Sequence, residues 1–126
     1  MSPVRTGTDG LSGLERLLRA TRIGLGALAW SWRNEEAVRI EVVALAVLLP
    51  LALWLGQTGV ERVLLIGSAL LVLLIELLNT AVEVVVDRIS TERHELSGLA
   101  KDLGSAAVMV SLLIWALTWA AILLDR

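Results

Sequence analysis

The sequence contains no cysteine, phenylalanine or tyrosine, and it has only one histidine and two prolines. Without cysteine there are no disulfides, no thiolate catalysis and no cysteine-bound metal, and one histidine cannot build a histidine-rich metal site. The motifs of standard phosphate-binding machinery are also missing, since there is no P-loop, no G-x-G-x-x-G loop and no H-R-D loop. Any nucleotide site must therefore be of another kind and be built on helices.

Charged residues are scarce and apolar residues are abundant. Of the 126 residues, 56% are hydrophobic and 19% are charged, whereas an ordinary soluble domain is about 45–50% apolar and about 25% charged. This apolar excess is too large for a small soluble core, and it also excludes a disordered chain. The formal net charge of −2 argues against a nucleic-acid partner, because such binding depends on basic residues that neutralise phosphates.

The charges are clustered, which leaves long apolar stretches between them. Three stretches contain no charged residue: 42–55, 63–75 and 103–124. A helix needs about 20 mostly apolar residues to cross the hydrocarbon core of a bilayer, and a helix pairs its backbone groups internally in lipid. The sequence therefore predicts an all-α integral membrane protein with three transmembrane helices, over residues 37–56, 60–88 and 99–124.

The N-terminal part of the chain has a different character. Residues 1–10 form a polar tail without the apolar core of a signal peptide. Residues 11–34 place leucines at spacings of three, four and seven, on one helical face, with arginines largely elsewhere. Such a basic amphipathic helix suits the membrane interface, and the alternative is a solvated helix that packs on another subunit. The whole chain, 1–126, is expected to form a single membrane domain.

The basic residues predict the orientation in the membrane. With three crossings, the N-terminal arm and the loop between the second and third crossings share one side, which holds nine basic residues: Arg5, Arg16, Arg19, Arg22, Arg33, Arg39, Arg88, Arg93 and Lys101. The other side holds only Arg62 and Arg126. Because positively charged flanks stay in the cytoplasm, we expect a cytoplasmic N-terminus. Trp54 and Trp119 are then expected in the outer aromatic belt.

One polar stripe interrupts the second predicted transmembrane helix. Glu76, Asn79, Glu83 and Asp87 follow one another at spacings of three, four and four, which places them on or near one face at about 100° per residue. Intramembrane carboxylates are costly and mark functional sites by default. A structural seam between helices needs only one or two such groups, so three acids and an amide favour a functional site.

Further polar residues are expected on the cytoplasmic side of this stripe: Glu35, Glu36, Arg39, Glu41, Glu92, His94, Glu95, Lys101, Asp102 and Ser105. Acids that converge at a membrane surface can bind a divalent cation through oxygen ligands, and the only lysine suits an anionic phosphate. Taken alone, Lys101 and Asp102 would be a solvated helix start, and a lone histidine such as His94 is more often structural than a ligand.

These polar residues fall within a long motif. Residues 76–105 read ELLNTAVEVVVDRISTERHELSGLAKDLGS, and residues 34–41 read NEEAVRIE. The pattern E-x-x-N-[ST]-A-x-E-x-x-x-D-R, followed by H-E-L-S-G-x-A-K-D-x-G-S-A, resembles the prokaryotic diacylglycerol kinase family over residues 14–124. The resemblance implies a homotrimeric kinase of the bacterial inner membrane with a surface helix and three transmembrane helices in each protomer. It would transfer the γ-phosphate of ATP, with Mg²⁺, to 1,2-diacylglycerol and give phosphatidic acid.

The resemblance also implies roles for individual residues. Glu76 corresponds to the catalytic base, and Glu35 and Glu83 correspond to ligands of the metal ion. The nucleotide site would comprise Arg16, Glu35, Glu83, Glu92, His94, Lys101 and Asp102. The lipid substrate would border Arg16, Glu76 and Ser105. Asn79 and Asp87 correspond to essential polar positions without individually assigned roles.

Two alternatives stay open at this point. The first is that the acceptor lipid is undecaprenol, although the H-E-L-S-G and D-R-I variants look more like the branch that uses diacylglycerol. The second is a small oligomeric cation channel or proton-coupled transporter, because intramembrane acids serve ion pathways equally well. The stripe occupies only the cytosolic half of the second predicted helix, without matching acids in the outer halves of the other two, and this placement disfavours an ion pathway.

Overall fold

The computed structural model describes Gly10 and residues 12–126, and all regular structure in this part of the chain is helical. Four helices follow one another: α1 (Gly13–Asn34), α2 (Glu36–Leu55), α3 (Gly59–Ile89) and α4 (Glu95–Leu124). The last three are long and apolar enough to cross a membrane, which confirms the all-α class with three candidate spans. The predicted tail except Gly10, with its Arg5, and Leu11 of the predicted amphipathic helix lie outside the described residues.

The chain divides into two compact units, of which the first ends at Glu35 and contains α1. Ser12 begins this helix, because its hydroxyl accepts a hydrogen bond at 3.2 Å from the backbone N–H of Glu15 and so satisfies one of the unpaired N–H groups of the first turn. The apolar residues of α1 are uncovered, with Leu14 66% and Leu25 62% exposed. Because these leucines are eleven residues apart and share one face of α1, the helix is amphipathic, as predicted, and its apolar face is not buried within its own unit.

The second unit, residues 36–126, is a bundle in which α3 packs against both α2 and α4. One cluster of buried apolar residues contains one residue from each helix, namely Ala52 of α2, Leu65 of α3 and Trp119 of α4. These residues lie toward the end of the bundle where α2 ends, α3 begins and α4 ends, which we name the distal end. The opposite end, where α3 ends and α4 begins, is the proximal end.

Both long helices of this bundle begin at capping residues. The side chain of Thr58 accepts a hydrogen bond from the N–H of Glu61 at 3.1 Å and fixes the start of α3. Nδ1 of His94 accepts one from the N–H of Leu96 at 3.1 Å, so α4 begins at Glu95 and not at the predicted residue 99. Hydropathy marks only the part of a helix that crosses lipid, whereas the cap adds a polar first turn in front of it.

Two arginines satisfy carbonyl groups at the distal end. The last turn of α2 has no basic residue of its own. Instead, Nε of Arg62 donates to the carbonyl of Leu53 at 3.2 Å, and the guanidinium of Arg126 donates to the carbonyl of Leu55. Gly56 permits this arrangement, because a Cβ at that position would overlap the Arg62 side chain. Both basic residues of the distal end therefore stabilise the C-terminus of α2.

Trp119 is buried, so the prediction that it lies in an aromatic belt is wrong. Only 8% of the residue is exposed, and its indole N–H donates to the carbonyl of Leu65 at 3.1 Å. Its ring centroid lies 6.0 Å from that of Trp115. An indole whose N–H finds an acceptor inside the bundle does not need the water of the interface. Trp54, in contrast, is 78% exposed, which fits a position that faces lipid headgroups.

We expect Trp119→Phe to lower the free energy of unfolding by about 1 kcal/mol, because it removes the interhelical hydrogen bond and part of the buried ring. Trp54→Phe is the matched control and should change it little, since Trp54 is exposed. Thermal or denaturant unfolding in detergent measures both variants. Equal losses in the two variants would contradict the packing role of Trp119.

Most of the apolar surface of the bundle is not covered by the protein itself. Only 17%, 28% and 11% of the most apolar windows of α2, α3 and α4 are buried within the chain. Exposed apolar areas of this extent mark surfaces that lie against lipid or another protein. The bundle therefore requires a bilayer, further copies of the chain, or both around it.

Candidate functional site in the membrane bundle

The polar stripe of α3 runs from the buried middle of the helix to its exposed end. Glu76 and Asn79 are buried, with 9% and 8% of their surfaces exposed. Glu83 is half-buried, and the side chain of Asp87 is 54% exposed. At about 1.5 Å per residue, Asp87 lies roughly 16 Å from Glu76 along the helix. The stripe thus connects a buried carboxylate with the surface at the proximal end.

Two other polar side chains are buried close to Glu76 in the sequence of α3. The hydroxyl of Thr80 donates to the carbonyl of Glu76 at 3.0 Å and is thereby satisfied within its own helix. Oδ1 of Asn79 is buried and has no hydrogen-bond partner among the described residues. Gly104 of α4 lies directly against this oxygen, because a Cβ on Gly104 would overlap it. The amide of Asn79 is therefore enclosed between α3 and α4.

An ion pair joins α3 and α4 at the proximal end. Nζ of Lys101 donates to Oδ1 of Asp87 at 2.8 Å. The two side chains are 44% and 54% exposed, so an anionic ligand from water can reach them. Glu83, one helical turn before Asp87, adds a longer-range electrostatic attraction to Lys101. The only ammonium side chain of the protein is thus held beside acidic groups at the rim of the bundle.

Two adjoining grooves open beside this ion pair. The first has a cavity volume of about 160 Å³ and is lined by polar residues that include Asp87, Thr91 and Lys101. The second has a cavity volume of about 450 Å³ and has a more apolar wall, formed by Val86, Ile89, Leu96 and Ala100. The volume of the second groove lies within the range of about 300–1,000 Å³ that is typical of small-molecule sites. Together the grooves offer a charged part near Lys101 and an apolar part next to it.

Of the five sequence-predicted nucleotide residues of the second unit, the structure brings three together, whereas Glu83 and Asp102 line neither groove. Glu92, His94 and Lys101 line the first groove, and Glu92 and His94 line the second as well. Asp102 follows Lys101 on α4 but is exposed and lines neither groove, and the predicted lipid contact Ser105 is also exposed outside both.

The remaining predicted site residues lie in the first unit. Arg16 is exposed in α1, and its backbone N–H donates to the carbonyl of Ser12 at 3.0 Å. Glu35 is the half-buried residue that ends α1, and its backbone N–H donates to the carbonyl of Ser31 at 2.8 Å. Both residues are therefore held by the hydrogen bonds that begin and end one helix.

Reasoning from the sequence missed two residues of the site. Arg93 lines both grooves, and its guanidinium has no ion-pair partner among residues 12–126. The sequence did contain a signal for Arg93, because it lies between Glu92 and His94, which are both predicted nucleotide-binding residues. Gly104 carries no functional group, and only its place in the K-D-x-G-S motif singles it out. Its contact with Asn79 depends on how α3 and α4 pack, which the sequence does not display.

The carboxylates at the proximal end suit a hard divalent cation that is shared with a ligand. Mg²⁺ prefers oxygen and is usually bound through one or two carboxylates together with substrate phosphates and water. Glu83 supplies a half-buried carboxylate one turn from Asp87. Among the described residues, no three histidine, aspartate or glutamate side chains converge on one point. This donor set therefore fits a cation held jointly with phosphates better than a cage made only of protein ligands.

Carboxylates within a membrane-length helix, together with an ammonium group and open grooves at its end, define a multi-pass α-helical membrane protein with a polar site at one end of the bundle. The family model for prokaryotic diacylglycerol kinase matches residues 22–123. The chain therefore belongs to the prokaryotic diacylglycerol kinase family.

Relatives from several bacteria are similar over almost the whole chain. The diacylglycerol kinase of Haemophilus influenzae is 50% identical over 112 residues, which are 89% of this chain and 95% of that protein. The diacylglycerol kinases of Pseudomonas aeruginosa and Escherichia coli are 48% and 45% identical over 115 residues, which are 91% of this chain and 94% of each relative. The range matched by the family model, 22–123, includes all of α2 and α3 and all of α4 except Leu124.

Proposed function

We propose that the protein is an ATP-dependent lipid kinase that transfers the γ-phosphate of ATP to 1,2-diacylglycerol and gives phosphatidic acid and ADP. The observation that carries this proposal is the course of α3, which leads from the buried Glu76 to the Lys101–Asp87 pair beside the grooves. A lipid alcohol lies at the headgroup boundary, while ATP stays in water. Chemistry between them needs one element that reaches both, and α3 has this property.

The proposed nucleotide site comprises Arg16, Glu35, Glu83, Glu92, His94, Lys101 and Asp102. Those of its residues that belong to the second unit lie toward the proximal end of the bundle. Support comes from the first groove, because Glu92, His94 and Lys101 line it together. We assign the polar part of the grooves to the phosphates of ATP, because Lys101 lies there. We assign the apolar wall to the adenine ring of ATP. Glu35 and Glu83 are the proposed ligands of Mg²⁺, and Arg16, Glu76 and Ser105 the proposed contacts of the lipid.

In the proposed reaction, Glu76 acts as the general base. The hydroxyl oxygen of the lipid attacks the γ-phosphorus, the bond from that phosphorus to the bridging oxygen of ADP breaks, and the carboxylate of Glu76 takes the hydroxyl proton. Lys101 stabilises the negative charge on the transferring group. When bound, Mg²⁺ would neutralise the phosphates of ATP. The burial of Glu76 keeps water away from the proton transfer, which favours the lipid hydroxyl over water as the nucleophile.

We further propose that the whole chain works as one domain in the bacterial inner membrane, with its N-terminus in the cytoplasm and α1 on the membrane lipids. The uneven distribution of basic residues supports this orientation. We also propose a homotrimer. The low internal burial of α2, α3 and α4 supports it, because three thin helices do not enclose a site by themselves.

A lipid-acceptor screen tests the proposed function. Purified protein in mixed micelles receives isotope-labelled ATP and either a diacylglycerol, undecaprenol or no lipid, and mass spectrometry identifies the phosphorylated product. We expect labelled phosphatidic acid in the first reaction and much less product in the second. Preferred labelling of undecaprenol would reassign the acceptor. A channel or transporter instead predicts no labelled lipid and an ion flux through protein-containing liposomes without ATP.

The grooves also predict a contribution of Arg93 to nucleotide binding. Arg93 lines both grooves, and its guanidinium has no ion-pair partner among the described residues. The guanidinium is therefore available to a phosphate of ATP or to the face of its adenine ring. We expect Arg93→Gln to raise the KM for ATP by about fivefold with little change in kcat. Arg88→Gln is the matched control, because Arg88 is exposed but lines neither groove. Steady-state kinetics with ATP as the varied substrate decide between a role in binding and none.

A further inference from the structure

Gly104 on α4 makes an unusually close approach to the carboxamide of Asn79 on α3. A Cβ at position 104 would overlap Oδ1 of Asn79 and would lie 3.2 Å from its Cγ. The other membrane-helix glycines differ, since a Cβ on Gly67 or Gly98 would have nothing within 4 Å. Small residues at a helix interface allow such an approach. The requirement for glycine at 104 is therefore specific to this contact.

A second observation concerns the amide itself. Oδ1 of Asn79 is buried without a hydrogen-bond partner in residues 12–126, and only 8% of the residue is exposed. A buried acceptor without a donor is unfavourable, and folded proteins retain few of them. Asn79 follows Glu76 by three residues, so both side chains project from neighbouring positions of one helix face. The enclosed amide, whose oxygen is unpaired among the described residues, thus lies about one helical turn from the proposed general base.

We propose that Gly104 is a positioning residue, because only a residue without a Cβ leaves room for the Asn79 carboxamide in its place beside Glu76. This inference rests on the proposed function. Gly104 has no group that touches a substrate, and it acts only through Asn79. Even one additional methyl group at position 104 displaces the amide, or separates α3 from α4, by an amount that the chemical step does not tolerate.

The test compares Gly104→Ala with Gly67→Ala in the full chain, in mixed micelles with ATP and a diacylglycerol. We expect Gly104→Ala to lower kcat by about 100-fold and to leave the KM for ATP unchanged, because Gly104 lines neither groove. Gly67→Ala should retain wild-type values, since a Cβ at that position meets nothing. A Gly104→Ala enzyme with wild-type kcat would overturn the proposal, and so would a loss confined to the KM for ATP.

A double-mutant cycle separates positioning from a general packing role. With alanine at 79, the atoms that block a Cβ at 104 are gone, and the remaining Cβ of residue 79 lies at an ordinary 3.8 Å. Adding Gly104→Ala to Asn79→Ala should therefore lower neither the residual kcat nor the thermal midpoint any further. A further loss would refute action through Asn79, even if the single Gly104→Ala variant failed to assemble. If the unsubstituted protein phosphorylates no lipid, the proposed function fails, while the thermal cycle still decides whether Gly104 acts on Asn79.

Discussion

Replacing Glu76 with glutamine is expected to lower kcat by about 100- to 10,000-fold, the range that general base catalysis contributes. Glutamine keeps the shape of the side chain and its capacity for hydrogen bonds, but it cannot accept the hydroxyl proton of the lipid. The bundle should remain intact, because a neutral amide is easier to bury in a membrane than a carboxylate. The expected signature is therefore a loss of turnover with an unchanged thermal midpoint and oligomeric state.

Two companion variants make this result specific. Glu76→Asp keeps the carboxylate but withdraws it by about one methylene, so a loss of about 100-fold is expected from misplacement alone. Glu61→Gln is the control on the same helix, because Glu61 lies at the distal end and pairs with Arg126 at 3.7 Å. This variant should keep a kcat close to that of the wild type. A Glu76→Gln enzyme with normal turnover would remove Glu76 as the base and require another acceptor for the proton.

The stripe on α3 could be predicted from the sequence because it depends only on the geometry of one helix. Residues at spacings of four and seven share a face whatever surrounds them, and Glu76, Glu83 and Asp87 are such residues. Their differing exposure could not be predicted, because it depends on where α2 and α4 cover α3. The buried Glu76 and the exposed Asp87 therefore acquire different chemical environments only in the packed bundle.

The contacts between helices could not be predicted from the sequence. Trp119 is a tryptophan near the end of an apolar helix, as belt residues are. Its burial depends on its packing against Ala52 and Leu65 and on its hydrogen bond to the carbonyl of Leu65 at 3.1 Å. The Lys101–Asp87 pair joins residues fourteen positions apart, so no helical periodicity connects them. The first turn of α4 was missed for the opposite reason, since the capping signal at His94 is local but hydropathy does not register it.

The site therefore has two parts with different origins. The carboxylates of α3 are ordered by the helix itself, whereas Lys101 and Gly104 reach them only because α4 packs against α3. Substitutions of the α3 carboxylates and of Lys101 should act on the chemistry directly, whereas a substitution of Gly104 should act through the packing of α4 against α3.

Removing the ammonium group by Lys101→Met is expected to lower kcat/KM for ATP by about 100-fold or more. This is the size of loss that other enzymes show when one group that stabilises the charge of the transition state is removed. Lys101→Arg should not restore full activity, because a planar guanidinium places its charge differently from a compact ammonium. The pair with Asp87 is half exposed, and exposed ion pairs contribute little to stability. The thermal midpoint should therefore stay near that of the wild type, which separates a catalytic loss from unfolding.

Asp87→Asn tests what the partner of Lys101 does. Without the carboxylate, Lys101 loses the 2.8 Å bond that aims it but also loses a competitor for the phosphates, so we expect a lower kcat with an equal or lower KM for ATP. If Asp87 acts through Lys101, adding Asp87→Asn to Lys101→Met lowers activity no further, and the two losses are not additive. Fully additive losses would show that Asp87 serves the reaction independently, through the metal ion or the lipid. A raised KM for ATP in Asp87→Asn alone would instead place Asp87 in nucleotide binding. The orientation of the Lys101 ammonium group affects the chemical step more than it affects the attraction between that group and the phosphates of ATP.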